Sequence, residues 1–95
     1  MYRTDKSTGE TIFRLAIPQR ARAVFLECFN EREHFCVPMR RAASRWITRL
    51  PLAAGWFFYR LKVDGRASCA RGVARIRMQD GQRYHMAVIA PCGAN

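Results

Sequence analysis

A chain of 95 residues, of which 49% are apolar, has room for one small domain with one hydrophobic core. Its formal net charge is +10, and all but two of its 17 basic residues are arginine, which favours an acidic partner such as nucleic acid. The longest apolar run, Leu50 to Tyr59, is too short to span a bilayer, and no apolar leader is visible, so we expect a soluble, cytoplasmic protein without a transmembrane segment.

One strand and then two helices are predicted in the first half of the chain. Residues 1–10 are polar and are expected to form a loose start with a turn at Ser7–Gly9. The stretch from Thr11 to Ile17 alternates apolar and polar residues, which predicts a strand. A helix is predicted from Pro18 to Glu33 because apolar residues recur there at helical spacing: Ala21, Val24, Phe25, Cys28 and Phe29.

A second helix is predicted between Pro38 and Pro51, and its polar side carries the clearest functional signal. The apolar residues recur at i, i+3, i+4, i+7, i+8 and i+11: Met39, Ala42, Ala43, Trp46, Ile47 and Leu50. The opposite side has no acid to compensate its basic charge, and like charges one turn apart repel. We therefore predict that four arginines of this helix contact phosphates: Arg40, Arg41, Arg45 and Arg49.

The second half of the chain is predicted to be a three-stranded antiparallel meander. The period changes to two after Gly55, and Asp64-Gly65 and Asp80-Gly81 are hairpin signals that separate strands over about 56–63, 66–78 and 84–90. A tight first turn pairs Leu61 with Ser68, and we expect a bulge or other irregularity near Gly72. Residues 91–95 form a tail. The predicted fold is one α+β domain over 1–95, in the order β-α-α-β-β-β with two helices packed on the meander.

One face of the first meander strand interleaves aromatic rings with cations. Two interpretations remain open for Trp56 and Phe58: a helix covers them as part of the core, or they form a stacking surface for single-stranded nucleic acid. In the second case neighbouring basic residues contact phosphates. The predicted binding set therefore also contains Arg60, Lys62, Arg71, Arg75 and Arg77.

Signals for metal binding or catalysis are weak. None of the four cysteines forms a C-x-x-C pair, so we expect no metal or cofactor, although a Cys28/His34/Cys36 cluster is conceivable. Because no export signal is visible, we expect reduced thiols. The chain has no paired-carboxylate motif, no glycine-rich phosphate loop and no nucleophile elbow. His85, which follows Tyr84, is the one weak catalytic candidate, and we lean towards a protein that is not an enzyme.

The predicted topology is similar to that of the RelE/ParE-type toxins of bacterial toxin–antitoxin pairs. The resemblance lies in the order β-α-α-β-β-β, the small size, the basic surface and the segment Tyr59-Arg60-Leu61 as the start of the first meander strand. It implies a ribosome-dependent mRNA endonuclease or a gyrase poison. In such an RNA-cleaving protein, His85 and nearby arginines would act on the phosphodiester.

The first functional hypothesis is a small, non-catalytic nucleic-acid-binding module. The RNA-cleaving toxin is an alternative. A further alternative is a phage- or plasmid-type inhibitor or adaptor that docks on an acidic host protein or nucleoprotein complex. A membrane-surface helix is disfavoured because Trp46, Ile47 and Leu50 are better used in the core.

Overall fold

The secondary structure of the protein is β-strand and turn. The computed structural model describes residues 1–17 and 20–91, and within these it contains ten strands and no helix. The predicted α+β class with two packing helices is therefore wrong, and the fold is all-β. The strands are β1 Tyr2–Thr4, β2 Thr11–Leu15, β3 Val24–Phe29, β4 His34–Pro38, β5 Arg40–Ala42, β6 Arg45–Leu50, β7 Gly55–Val63, β8 Arg66–Ser68, β9 Ile76–Arg77 and β10 Arg83–Ile89.

The strands form two antiparallel sheets. Sheet A has the order β1-β2-β6-β5, and sheet B has the order β4-β3-β7-β10-β9, with β8 paired to one end of β7. The chain passes from the edge strand of sheet B to the edge strand of sheet A through Met39, whose N–H donates to the carbonyl of Val24 at 2.8 Å. One continuous run of residues therefore fixes the two sheets to each other at this edge.

The inner faces of the two sheets share one hydrophobic core. Phe13 of sheet A and Tyr59 of sheet B pack edge to face with ring centroids 5.1 Å apart. Every second residue of β7 is buried, so this central strand contributes most to the core of sheet B. The buried cluster is Phe13, Leu15, Val24, Leu26, Cys28, Met39, Leu50, Leu52, Phe57, Tyr59, Leu61, Val63, Ala70, Ala87 and Ile89.

The first predicted helix is wrong because the same residues also satisfy a period of two. Val24, Leu26 and Cys28 are buried on the inner face of β3, and the residues between them lie on the outer face. The strand ends at Phe29, and the side-chain carbonyl of the next residue, Asn30, accepts hydrogen bonds from the N–H groups of Arg32 and Glu33, both at 2.8 Å. This Asx-type turn reverses the chain into β4. Residues 18–19, where the helix was predicted to begin, lie outside the described residues.

The second predicted helix is instead a hairpin made of β5 and β6. The turn is Ala43-Ser44, and Ala43 adopts a left-handed φ of 55°. Neither residue is a recognised hairpin signal, and alanine favours helix, so the turn could not be predicted from these two residues. Pro51 ends a strand rather than a helix.

The strand predictions were more accurate. β2 and β7 are confirmed, and so are the turn at Asp64-Gly65, where both φ values are positive, and the pairing of Leu61 with Ser68. The irregularity near Gly72 is confirmed too, because no strand forms between β8 and β9 and Gly72 has a φ of 75°.

The strands of the predicted meander pair with different neighbours in the structure. The strand predicted over 66–78 is reduced to β8 and β9, and β10 takes its place beside β7, so that Tyr59 pairs with His85. At the N-terminus the predicted turn is present, since the Gly9 N–H donates to the carbonyl of Asp5 at 2.7 Å, and it follows the edge strand β1. Residues 92–95 of the predicted tail, including Cys92, lie outside the described residues.

Candidate nucleic-acid interface

The outer face of sheet A is a surface of arginines. Residues paired across antiparallel strands lie on the same face, and alternate residues lie on opposite faces. Arg3 and Arg49 are both paired with Ile12, so the three side chains form one row across β1, β2 and β6. We call this surface the arginine face, and its arginines are Arg3, Arg14, Arg40, Arg45 and Arg49.

A second row of the arginine face crosses β2, β6 and β5. Arg14 and Arg40 are both paired with Ile47, so guanidinium groups again flank an isoleucine. Arg45 lies two residues before Ile47 on β6 and therefore on the same side of the sheet. A shallow groove of about 300 Å³ runs beside Arg40, Ile47 and Arg49 on this face. The arginine face is thus flat and basic, with Ile12 buried and Ile47 partly exposed.

Only one arginine of this face has an acidic partner within 4 Å among residues 1–17 and 20–91. Arg49 Nη1 lies 2.8 Å from Asp5 Oδ2 and 3.6 Å from Glu10 Oε1. Hydrogen bonds from Ser7 and then from Arg49 hold the pKa of Asp5 well below its usual range. The other four arginines are exposed and have no carboxylate within 4 Å in the part of the chain that the structure describes.

Arg41 does not share this surface. It was predicted to lie in line with Arg45 and Arg49, one helical turn apart, but in the hairpin it pairs with Trp46 on the opposite side of sheet A. Its side chain lines a pocket at the rim of the sheets together with Arg20 and Arg22. The predicted set of four is therefore divided between two places because strand residues alternate.

The outer face of sheet B carries the aromatic residues. Trp56 and Phe58 are on the side of β7 opposite the core, and Trp56 remains 62% exposed. No helix covers them in the described part of the chain, so the interpretation of Trp56 as a core residue is wrong. We call this surface the aromatic face, and its rings and apolar side chains are Phe25, Phe29, Trp56, Phe58, Tyr84, Met86 and Val88.

Charge on the aromatic face is compensated locally. Arg60 Nε donates to Glu27 Oε1 at 2.7 Å, and its guanidinium carbon lies 4.9 Å from the ring centre of Tyr84. Burial alone would raise the pKa of Glu27, but the hydrogen bond and charge of Arg60 outweigh it, so the pKa is lowered. The exposed His34 contacts the same carboxylate at 3.3 Å, and Lys62 lies one position beyond Arg60 on this face.

A groove of about 710 Å³ adjoins Trp56 at one end of the aromatic face. Its rim carries the side chains of the β3–β4 turn, with Glu31 and Glu33 against the single cation Arg32. The Asn30 side-chain amide donates to the carbonyl of Trp56 at 3.1 Å and fixes the turn to β7. This groove is therefore apolar with a slightly acidic rim, which differs from the arginine face.

The remaining predicted arginines lie apart from both surfaces. Arg71 was predicted to contact phosphates beside Trp56 and Phe58, but it follows β8 in the irregular segment 69–75, and its backbone N–H donates to the carbonyl of Ala16 at 2.8 Å. Arg75 precedes β9, and Arg77 pairs with Arg83 at the far edge of sheet B.

His85 is fully buried and holds two backbone groups of the segment 69–75. Its Nε2 accepts a hydrogen bond from the N–H of Ala70 at 2.8 Å, and its Nδ1 lies 2.8 Å from the carbonyl of Ala74. These contacts require a neutral ring with the proton on Nδ1. Burial, and secondarily the charge of Arg75, lower the pKa of His85, although the bond to Ala74 opposes this. Both nitrogens are occupied in structure-forming contacts.

The sheet separates the residues of the conceivable metal cluster. Cys28 is buried on the inner face of β3, and burial raises the pKa of its thiol to about 12, whereas His34 and Cys36 are exposed on β4. No group of three or more His, Cys, Asp or Glu side chains among the described residues is placed to hold a metal ion. A helix long and apolar enough to cross a membrane is likewise absent from the part of the chain that the structure describes.

Two arginines of the arginine face were missed from the sequence. Arg14 occupies the polar position of the alternating stretch TIFRLAI, so the strand signal already placed it opposite Phe13 and Leu15. Arg3 could be added only once β1 was known to pair with β2. The helical interpretation of residues 38–51 concealed both, because it separated the basic segment from β2.

Comparison with protein families gave no match to any family model, and comparison with curated proteins gave none either. The function is therefore inferred from the arginine face, the aromatic face and their surroundings.

Proposed function

We propose that the protein is a small, non-catalytic nucleic-acid-binding module and that the arginine face contacts the phosphates. One observation carries the proposal: five arginines share one flat sheet face, and only Arg49 has a carboxylate within 4 Å among the described residues. The like charges in such a set repel one another, and a bound polyanion relieves this repulsion. Binding is further favoured because condensed counterions are released from the nucleic acid.

The chemistry of the arginine face suits the phosphate backbone. A guanidinium group donates a fork of hydrogen bonds that matches two phosphate oxygens. The two rows hold these forks on rigid strands, and the partly exposed Ile47 between Arg14 and Arg40 offers apolar contact to sugars. Phosphate contacts position a protein without reading sequence, so we expect little base preference. This partner is met in the cytoplasm, the location predicted from the sequence.

The salt dependence of binding tests the proposal. The test variant replaces Arg14, Arg40 and Arg45 with Ala, and the control replaces Arg66, Arg77 and Arg83, which are exposed and outside sheet A. Both variants lose three positive charges. Each phosphate contact contributes about −0.7 to −0.9 to the slope of log affinity against log salt, so the test variant should lose about 2 to 3 units of slope. The control should retain most of it.

Two results would contradict the proposal. Equal losses in the test and control variants would mean that net charge alone attracts nucleic acid. An affinity that does not change with salt would exclude phosphate contacts. A protein captured from a bacterial lysate that stays bound after nuclease treatment, in a manner that depends on Arg14, Arg40 and Arg45, would favour the adaptor alternative.

The RNA-cleaving alternative has lost support. Its similarity to toxins depended on two helices that the described residues do not form. His85 would have to exchange protons with a substrate, but both of its ring nitrogens are engaged with backbone groups inside the sandwich. The geometry therefore favours binding over catalysis.

A second candidate function concerns the aromatic face and its groove. Trp56 is 62% exposed beside a rim that carries Glu31 and Glu33, and Arg60 is already paired with Glu27. This arrangement suits a neutral ligand with flat apolar faces and hydroxyl groups, such as a polysaccharide, better than a polyanion. Retention of the protein by a neutral polysaccharide in high salt, lost in Trp56→Ala, would support it. An affinity that Trp56→Ala leaves unchanged would exclude this site.

A further inference from the structure

Three arginines converge on a small pocket at the rim of the sheets, away from the arginine face. The pocket has a volume of about 430 Å³ and is lined by Arg20, Ala21, Arg22, Arg41 and Asp64. It brings together the segment before β3, the edge strand β5 and the turn between β7 and β8. Arg41 reaches it because this residue lies on the other side of β5 from Arg40.

The backbone on one side of this pocket is held in place by Asp64. Its Oδ1 accepts hydrogen bonds from the N–H groups of Arg22 and Ala23, both at 2.9 Å, and its own N–H donates to the carbonyl of Ala23 at 2.9 Å. The turn at Asp64-Gly65 is thereby attached to the segment that carries Arg20 and Arg22. A ligand would meet arginines on a preformed backbone, which lowers the entropy cost of binding.

The pocket is cationic, and no ion pair engages its guanidinium groups among the described residues. Three arginines and one aspartate give its lining a formal charge of +2. None of Arg20, Arg22 and Arg41 has a carboxylate within 4 Å among residues 1–17 and 20–91. Asp64 holds the backbone through one oxygen, and its carboxylate forms no ion pair within 4 Å with an arginine of the described residues.

We propose that this pocket binds a terminal phosphate group, as a phosphomonoester or diphosphate. A terminal phosphate carries a charge of about −1.5 to −2 at pH 7 and three acceptor oxygens, which suits a concave set of forked donors. A phosphodiester carries one charge and suits the flat arginine face instead. That the phosphate belongs to the end of a bound nucleic-acid strand depends on the proposed function; binding of a free diphosphate does not.

Calorimetry with three probes tests the site: inorganic pyrophosphate, and one oligonucleotide with either a 5′-phosphate or a 5′-hydroxyl. The wild type should bind pyrophosphate and should prefer the 5′-phosphorylated strand. Arg41→Ala should weaken pyrophosphate binding by about tenfold or more, since a hydrogen-bonded charge is lost, and should abolish the preference. Arg40→Ala, at the neighbouring position on the arginine face, should lower the affinity for both oligonucleotides and leave the ratio of the two affinities unchanged.

Asp64→Asn gives a test of opposite sign. The amide carbonyl retains the acceptor for Arg22 and Ala23, and asparagine tolerates the left-handed φ of 50° at this position. Removing the negative charge should therefore tighten pyrophosphate binding several-fold without loosening the turn. Arg20 lies outside the strands, so its replacement should not disturb a sheet. Arg20→Ala should weaken pyrophosphate binding, as Arg41→Ala does.

The outcomes separate this site from the proposed function. Pyrophosphate binding that depends on Arg41 and Arg20 supports the pocket even where oligonucleotides fail to bind in a salt-dependent way. Salt-dependent oligonucleotide binding with no pyrophosphate binding and no 5′-phosphate preference overturns the pocket and leaves the arginine face intact. Weaker pyrophosphate binding by Asp64→Asn, in a variant that melts like the wild type, also overturns it.

Discussion

The two outer faces of the sandwich use charge in different ways. On the aromatic face, Arg60 is hydrogen-bonded to Glu27 and lies against Tyr84, so its charge is compensated within the sheet. On the arginine face, shorter strands carry five arginines, and Arg49 alone among the described residues there has a carboxylate within 4 Å. Both faces are outer sides of antiparallel sheets, so their place in the sandwich does not explain the difference.

The comparison teaches that the number of arginines matters less than what surrounds each one. An arginine with an internal partner contributes to folding and offers little to a ligand, whereas an unpaired set on a rigid face adds repulsion that only an external anion relieves.

The largest effect should separate the two sides of β7. Phe57 is fully buried and Trp56 is 62% exposed, although they are adjacent. Phe57→Ala should lower the free energy of unfolding by about 3–5 kcal/mol because it leaves a cavity. Trp56→Ala should cost less than about 1 kcal/mol, as for surface substitutions. Denaturant melts of the two variants provide the measurement, and equal losses would mean that the aromatic face is covered.

The next largest effect on stability should distinguish the two histidines. In His85→Ala, Ala70 and Ala74 lose their hydrogen-bond partners inside the sandwich, which should cost about 2–4 kcal/mol. His34 is exposed, so His34→Ala is the matched control. This loss concerns the inner face and should leave the salt slope of nucleic-acid binding on the arginine face unchanged.

The pH dependence of stability has a definite sign. The pKa of His85 is lowered in the folded state, so the unfolded chain takes up a proton first as the pH falls below about 6.5. The free energy of unfolding should therefore decrease from about pH 6.5 downwards, towards the lowered pKa. Melts between about pH 5 and 7 should show this slope in the wild type and in His34→Ala, and a smaller one in His85→Ala. A slope that persists in His85→Ala would assign it to another group.

Much of the strand half of the fold was predictable, because β2 and β7 alternate over five or more residues and Asp64-Gly65 is a specific turn signal. The first half was not, since Val24 to Phe29 satisfies both helical and strand periods and the shortage of turn signals favoured the helix. The arginine face depends on pairings between β1, β2, β5 and β6, which are distant in sequence. Local periodicity therefore identified most of the arginines but could not group them.

A smaller effect should distinguish the ion pairs of the two faces. The Arg60 and Glu27 side chains are 18% and 14% exposed, so a double-mutant cycle with Arg60→Ala and Glu27→Ala should give a coupling of about 1 kcal/mol, reduced by solvent screening. The same cycle for Arg49 and Asp5 should give a smaller coupling, because the Arg49 side chain is 48% exposed. A larger coupling for Arg49 would show that the arginine face is also compensated internally.

The smallest effect tests the hairpin that brings Arg40 and Arg45 to the same face. Ala43 has a φ of 55°, a conformation that costs a residue with a Cβ atom about 1–2 kcal/mol. Replacing Ala43 with glycine removes this strain, but part of the gain in stability is lost because glycine has greater freedom in the unfolded chain. Ala43→Gly should therefore stabilise the protein by about 0.5–1 kcal/mol. Ser44→Gly is the control. Ser44 is not among the residues with positive φ, so this substitution should lower the stability of the protein. In a helix over 38–51, glycine at position 43 would instead cost about 1 kcal/mol. The sign of the change in thermal melts thus decides between the hairpin and the helix, and only the hairpin separates Arg41 from its neighbours.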